Sequence, residues 1–353
     1  MVLRKIGLLA VALFASAAAL AGTQRALLIG VSEYEAALTP LGGARNDVML
    51  IRELLIQKYG FDTANIRVML DEQATRDEIL LAISGLADSA AEDDIVLIHY
   101  SGHGSQAPDD TGDEPDGFDE TILPHDARTP GVPDITDDEL NRLIGRFRSH
   151  SVVVVLDSCH SGTGTRSGPT LVTQRWVAPD TRKDLYRSPT TRQVVTLPVS
   201  EQHVFFAAAQ EFESELDGPF GPDNLRLGLF TAAMLRVLVH SPVDVTPTDL
   251  ISGVSAQVEG LKASAAGMPI PEPNMEAPLE KQDRPLFVFS SDAETADASY
   301  VPDSFDSISN ETGVQAKSVL ATSGGMPDPE LARRIAAELD SGYQVASSVD
   351  SAD

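Results

Sequence analysis

The chain has 353 residues, 42% of them apolar, enough to build one large domain around a sizeable core. Acidic residues outnumber basic ones 53 to 26, giving a formal charge of −27. That sign excludes a general nucleic-acid surface and suits cationic peptides or metal ions as partners. A single cysteine, Cys159, excludes an intramolecular disulfide.

The first residues carry a secretory pattern. Arg4 and Lys5 precede an apolar stretch over 6–20, and Ala19-Leu20-Ala21 supplies a small-x-small cleavage point. The stretch is shorter than the ~20 residues a spanning helix needs. Residues 1–21 are therefore expected to be a cleaved signal peptide, the protein secreted or periplasmic, and no stable membrane insertion to remain. In such a compartment thiols are readily oxidised, so a lone cysteine is either a small buried core residue or a reactive one.

From residue 25 the pattern alternates. Strands are predicted at 25–31, 66–70, 94–100 and 151–157, with helices at 46–58, 76–89 and 136–146 between them. Alternation of this kind gives an α/β fold whose mostly parallel central sheet is flanked by helices on both faces. Residues 105–141 hold an acidic loop rich in Asp and Gly. Residues 162–197 carry Pro, Ser, Thr and six bases with little apolar periodicity, which reads as an exposed linker. A strand at 203–209, helices at 229–238 and 248–261, and a last strand at 285–290 extend the same domain. Beyond residue 291, 12 acids stand against 3 bases, and the tail is expected to be mostly disordered apart from one short helix begun by Asp328 and Pro329.

Open α/β sheets bind ligands beyond the carboxyl ends of their strands. Two segments rich in reactive groups stand there: IVLIHY runs into SGHGS, and VVVVLD runs into SCHSG. A thiolate attacks a carbonyl far better than a thiol, so a catalytic cysteine needs an imidazole within reach. His103 and Cys159, each following a parallel strand, are the candidate base and nucleophile. Gly102 and Gly104 leave room for a substrate backbone, and the Gly104 and Cys159 amides are the candidate oxyanion donors. His160 is the competing base, but side chains of adjacent residues diverge; His99, His125 and His203 read as structural or solvated.

YSGHGS and DSCHSG, in this order, resemble the caspase-fold peptidases of clan CD and specifically the metacaspases, over residues 25–290. The resemblance implies a caspase-like (caspase-hemoglobinase) fold. It divides the chain into a large-subunit region at 22–165, the exposed linker at 166–197, a small-subunit-like region at 198–290 and the tail at 291–353. It further implies that Asp47 in GARND and Asp157, with Ser101, line a pocket for the residue before the scissile bond. Two carboxylates there would select Arg or Lys. Read alone, Asp47 is equally a helix N-terminal acid and Asp157 a strand-end turn residue. The chemistry needs no cofactor. Calcium is implied as an activator, held by Asp119, Asp137 and Asp138, although a further acid of the family pattern is replaced by Arg166. Arg166, Arg175, Arg182, Lys183, Arg187 and Arg192 are potential self-cleavage points. The expected protein is a monomeric cysteine endopeptidase capable of self-processing. The alternatives are a caspase-fold peptidase with another specificity and a silent caspase-fold binding module.

Overall fold

A computed structural model describes residues 22–112, 114–159, 172–186, 202–209, 213–221, 224–264 and 270–289. The proposed signal segment, His160, Arg166, Arg187, Arg192 and the acidic tail lie outside them.

The chain enters through strand β1 (Gln24–Gly30), helix α1 (Ala44–Gln57), β2 (Ile66–Leu70), helix α2 (Arg76–Ser89) and β3 (Ile95–Ser101). Then come β4 (Gly104–Pro108), β5 (Phe118–Ile122), β6 (Ile135–Thr136), helix α3 (Asp137–Ile144) and β7 (Ser151–Asp157). The second half supplies β8 (Thr173–Gln174), β9 (Val204–Ala207), β10 (Leu216–Gly218), β11 (Leu227–Gly228), helices α4 (Leu229–His240) and α5 (Pro247–Ser264), and β12 (Asn274–Glu276). The central sheet runs β12-β9-β7-β3-β1-β2. All its pairings are parallel except β12 with β9.

Side chains alternate across the pleat and build two cores. Ala26, Leu28, Ile95, Leu97, Val153 and Val155 pack beneath α1, α4 and α5. Leu27, Ile29, Val96, Ile98, Val152 and Val154 pack beneath α2 and α3. A strand buried on both faces has no polar alternation to show, which is why each reads as a continuous apolar run. Each fully buried Val, Leu or Ile contributes about 1.5–3 kcal/mol, so the helix layers are held mainly by these strands.

The expected architecture is present, with four differences. The acidic stretch 105–141 is not all loop: β4, β5 and β6 form an antiparallel sheet. Residues 285–290 contribute no strand among the described residues. Leu286 and Phe287 are buried in the core, while the Leu286 amide donates to the Val245 carbonyl. The sheet edge is instead the short β12, whose Pro-flanked sequence hides it. Finally, the described part of the linker, 172–186, is not simply exposed. β8 pairs with β10, and Arg175 is completely buried. No helix among the described residues is long and apolar enough to cross a membrane.

Candidate active site

β3 and β7 are neighbours, and Ser101 pairs with Asp157 in their register. His103 and Cys159 each lie two residues past that pair, so the sheet carries both onto the same rim. Both are buried, at 1% and 0% exposure. The Nε2 of His103 lies 2.7 Å from the Thr39 carbonyl, which can only accept; Nε2 therefore carries a proton. Nδ1 is buried with no regular hydrogen-bond partner, so its lone pair is available. The ring is positioned further by Tyr34, whose hydroxyl accepts from the His103 amide at 2.7 Å and whose ring centroid lies 5.1 Å away.

The thiol of Cys159 is turned to the main chain of Glu215. It donates to the Glu215 carbonyl at 3.4 Å and accepts from the Glu215 amide. Burial pushes its pKa well above the usual thiol value, reinforced by the Glu215 carboxyl. Burial also lowers His103 to about 4, against the raising effect of the Thr39 and Arg175 carbonyls. The pair therefore rests as neutral thiol and neutral imidazole.

Gly104 allows the rim to close. A Cβ there would lie 1.8 Å from the Cys159 carbonyl oxygen and 3.1 Å from its nitrogen. The Gly104 amide donates, at 2.9 Å, to the carbonyl of Arg175. Thus one of the two amides expected to bind an oxyanion holds a peptide carbonyl from the chain itself.

Arg175 fills the pocket beside it. Its guanidinium reaches Asp47 at 2.6 Å, Asp157 at 2.9 Å and Asp217 at 3.1 Å, with every partner fully buried. It also donates to the Ser101 hydroxyl at 2.7 Å, and that hydroxyl donates to Asp47 at 2.8 Å. The three residues named from sequence, Asp47, Asp157 and Ser101, therefore meet around one cation. The carboxylates are held by backbone donors. Gly228 donates to Asp47 at 3.0 Å, and Gly43 to Asp217 at 2.8 Å. Thr231, in the first turn of α4, donates to Asp157 at 3.1 Å, where the helix dipole favours negative charge. Burial raises Asp47 to about 7 despite the opposing Arg175 charge. The surrounding acids hold Arg175 firmly protonated. Glu215, also fully buried, is driven well above its usual carboxylate value by burial and the neighbouring Asp157.

Sequence reasoning missed Asp217 and Glu215. Their short segment, ELDG, alternates acid and apolar residues, which is the only local signal they carry. Nothing in it places them against residues 47 and 157.

Asp119, Asp137 and Asp138 are also brought near one another. Asp119 is raised to about 8 by burial and then by the charges of Asp137, Asp109 and Asp138. Asp137 is raised to about 7 by burial and then by Asp138 and Glu120. The carboxylates whose oxygens lie within 4.8 Å of one another are, however, Glu114, Glu120 and Asp137. Of the sequence-derived trio only Asp137 belongs to that group. Three hard carboxylate oxygens at this spacing suit calcium chemically, and a cation there would offset the like charges that face Asp137.

Residues 24–166 match the family described as metacaspase, peptidase C14 domain. Metacaspase-2 of Arabidopsis thaliana is 39% identical over 150 residues, covering 40% of this chain and 35% of that protein. Metacaspase-1 of Schizosaccharomyces pombe is 39% identical over 149 residues, covering 40% and 34%. The match thus spans about a third of the length of these relatives. A Geobacter sulfurreducens protein of known crystal structure shares the fold at 21% identity, with a TM-score of 0.54, over 76% of this chain and 99% of its own. The family match and the six-stranded sheet agree on the caspase-like α/β fold.

Proposed function

From a chain whose residues 24–166 carry a metacaspase peptidase C14 domain, we propose a cysteine endopeptidase that cleaves after Arg or Lys, with Cys159 as nucleophile and His103 as base. The observation that carries this reading is the pose of Arg175: side chain among three carboxylates, carbonyl on the Gly104 amide. A substrate arginine would sit in the same way. A Lys ammonium would satisfy the same charges without the fork geometry, and an Asp side chain would be repelled.

The steps follow from the geometry. Nδ1 of His103 takes the thiol proton, and Sγ attacks the carbonyl carbon. Charge gathers on the oxygen facing the Gly104 and Cys159 amides. His103 then returns the proton to the departing amine, leaving a thioester that water hydrolyses with the same imidazole as base. In the state described here the thiol and the Arg175 amide share one acceptor, the Glu215 carbonyl, so Sγ already lies beside this main chain. Attack on the Arg175 carbonyl would take the thiol from the Glu215 main chain to that carbon. Among the three basic linker residues that the structure describes, Arg175, Arg182 and Lys183, the one placed for self-processing is therefore Arg175, at its bond to Trp176.

Calcium is proposed as activator through Glu114, Glu120 and Asp137, with Asp119 and Asp138 adding charge. A cation there would act on the β4–β5 hairpin, whose β4 carries the amide that holds Arg175. The chemistry itself needs no cofactor. Secretion and a monomeric state complete the proposal.

The test uses the purified protein against Arg-, Lys- and Asp-ended peptide reporters, with calcium or chelator and with Cys159→Ala as control. Hydrolysis after Arg and Lys, lost in the control, is expected. Cleavage after Asp alone would overturn the pocket assignment. No cleavage under any condition would favour the binding-module alternative, and full activity in chelator would remove calcium from the proposal.

A further inference from the structure

Residues 176–186, after Arg175, are held by a set of main-chain and side-chain bonds of their own, and nothing in the cleavage chemistry requires this. Before the scissile bond, β8 contributes two paired residues to β10, and the Arg175 amide donates to the Glu215 carbonyl. After it, the chain runs as an added strand along β4. Trp176 bridges in parallel to Gly104, Val177 donates to the Gly104 carbonyl at 3.0 Å, and Asp180 donates to the Gln106 carbonyl at 2.8 Å.

A polar cluster then pins this strand. Arg128 donates to the Ala178 carbonyl at 2.8 Å and pairs with the fully buried Asp134 at 2.7 Å. The Tyr186 hydroxyl donates to Asp180 at 2.8 Å and accepts from the Asp134 amide at 2.9 Å. Arg182 pairs with Asp180 at 2.6 Å and donates to the carbonyls of Thr129 and Val132 at 2.8 and 2.9 Å. Asp180 is 3% exposed, and its hydrogen bonds hold its carboxyl down at about 2.

We propose that the β4 edge is the subsite for residues following the scissile bond, and that segment 176–186 stays docked on it after the Arg175–Trp176 bond is cut. This rests on the peptidase reading above. Cleavage frees the acyl side, but none of the latch bonds crosses the cut. The new N-terminus at Trp176 therefore remains a tethered competitor for any protein substrate with residues beyond its cleaved Arg. A substrate whose leaving group is a small amine needs only the pocket and escapes this competition. The same edge thereby separates small reporters from protein substrates, by β-strand addition on a backbone edge that is already filled.

Trp176 is the chain's only tryptophan and sits half-buried beside the cut, so its emission reports docking. The experiment compares the self-cleaved wild type with Tyr186→Phe and Asp180→Asn. It measures kcat/KM on an Arg-amide reporter and on a quenched peptide with six residues after the Arg. Loosening the latch is expected to raise kcat/KM on the extended peptide about tenfold, the factor carried by one charge-assisted hydrogen bond, while the reporter changes less than twofold. Emission is expected to stay blue-shifted in the cleaved wild type and to move toward that of exposed tryptophan in the variants. Equal changes on both substrates, or a red shift on cleavage of the wild type, would overturn the proposal. Absence of reporter hydrolysis would instead count against the peptidase reading. In that event the emission of intact Cys159→Ala, with and without Tyr186→Phe, decides the latch: unchanged emission overturns it.

Discussion

Replacing Arg175 by Gln separates the roles of the pocket most cleanly. The wild-type guanidinium compensates Asp47, Asp157 and Asp217, all at 0% side-chain exposure. Removing one partner from a buried ion pair costs about 3–5 kcal/mol when the remaining charge cannot escape. Here two escapes exist: Asp47, at about 7, can take up a proton, and the linker can lift away and admit water. The lower end, about 3 kcal/mol, is the figure to expect, lowering Tm by about 6–12 °C at ~2–4 °C per kcal/mol. The pH dependence has a definite sign. Asp47 in the folded chain binds its proton more tightly than in the unfolded chain, so its contribution is present at low pH and is lost as pH rises toward about 7. The Tm deficit of the variant should therefore be larger at pH 8 than at pH 5.5. Scanning fluorimetry at both values reads the stability, and intact mass reads the processing, which should no longer occur between residues 175 and 176. Persistent cleavage at that bond, or an unchanged Tm, would refute the assignment of Arg175 to the pocket.

Other outcomes follow from neighbouring residues. Gly104→Ala forces a methyl group into the Cys159 backbone and should abolish activity, with alkylation of Cys159 also altered; retained turnover would mean that the rim relaxes freely. Asp217→Asn keeps the shape of the pocket but removes one of its charges, and should lower kcat/KM for Arg reporters about tenfold through KM, measured by steady-state kinetics. Under the calcium proposal, the ion would compete with protons at Asp137 and Asp119, whose values of about 7 and about 8 set the window, so affinity measured by calorimetry should rise as pH increases from 6 to 8 with protons released on binding. An affinity independent of pH would exclude those carboxylates as the site.

Much of this was legible in the sequence because the central strands are apolar on both faces and end at the reactive residues. IVLIHY and VVVVLD locate β3 and β7, and a parallel pairing alone brings His103 and Cys159 to one rim. Asp47 and Asp157 were reachable only through the family resemblance, since a helix-start acid and a strand-end acid look ordinary by themselves. Arg175 was one basic residue among six in a Pro- and Ser-rich stretch. Its burial is dictated by acids from α1, β7 and β10, a long-range coincidence of charge that local periodicity does not encode. The β4–β5 hairpin escaped notice for a related reason. Its strands, GSQAP and FDETI, are short and carry few β-branched residues, and they are held by pairing with each other and with the linker. At 285–290 the error ran the other way: Leu286 and Phe287 are core residues, but their backbone leaves the sheet.

The most direct test is covalent. The protein is treated with peptides ending in arginine or aspartate chloromethyl ketone, and the modified residue is located by mass spectrometry, in the wild type and in Arg175→Gln, where the pocket is vacated. Selective modification of Cys159 by the arginine reagent, faster in Arg175→Gln and suppressed by Asp47→Asn, is the expected result. Equal labelling by the aspartate reagent, or labelling at any residue other than Cys159, would contradict the assignment of nucleophile and pocket together.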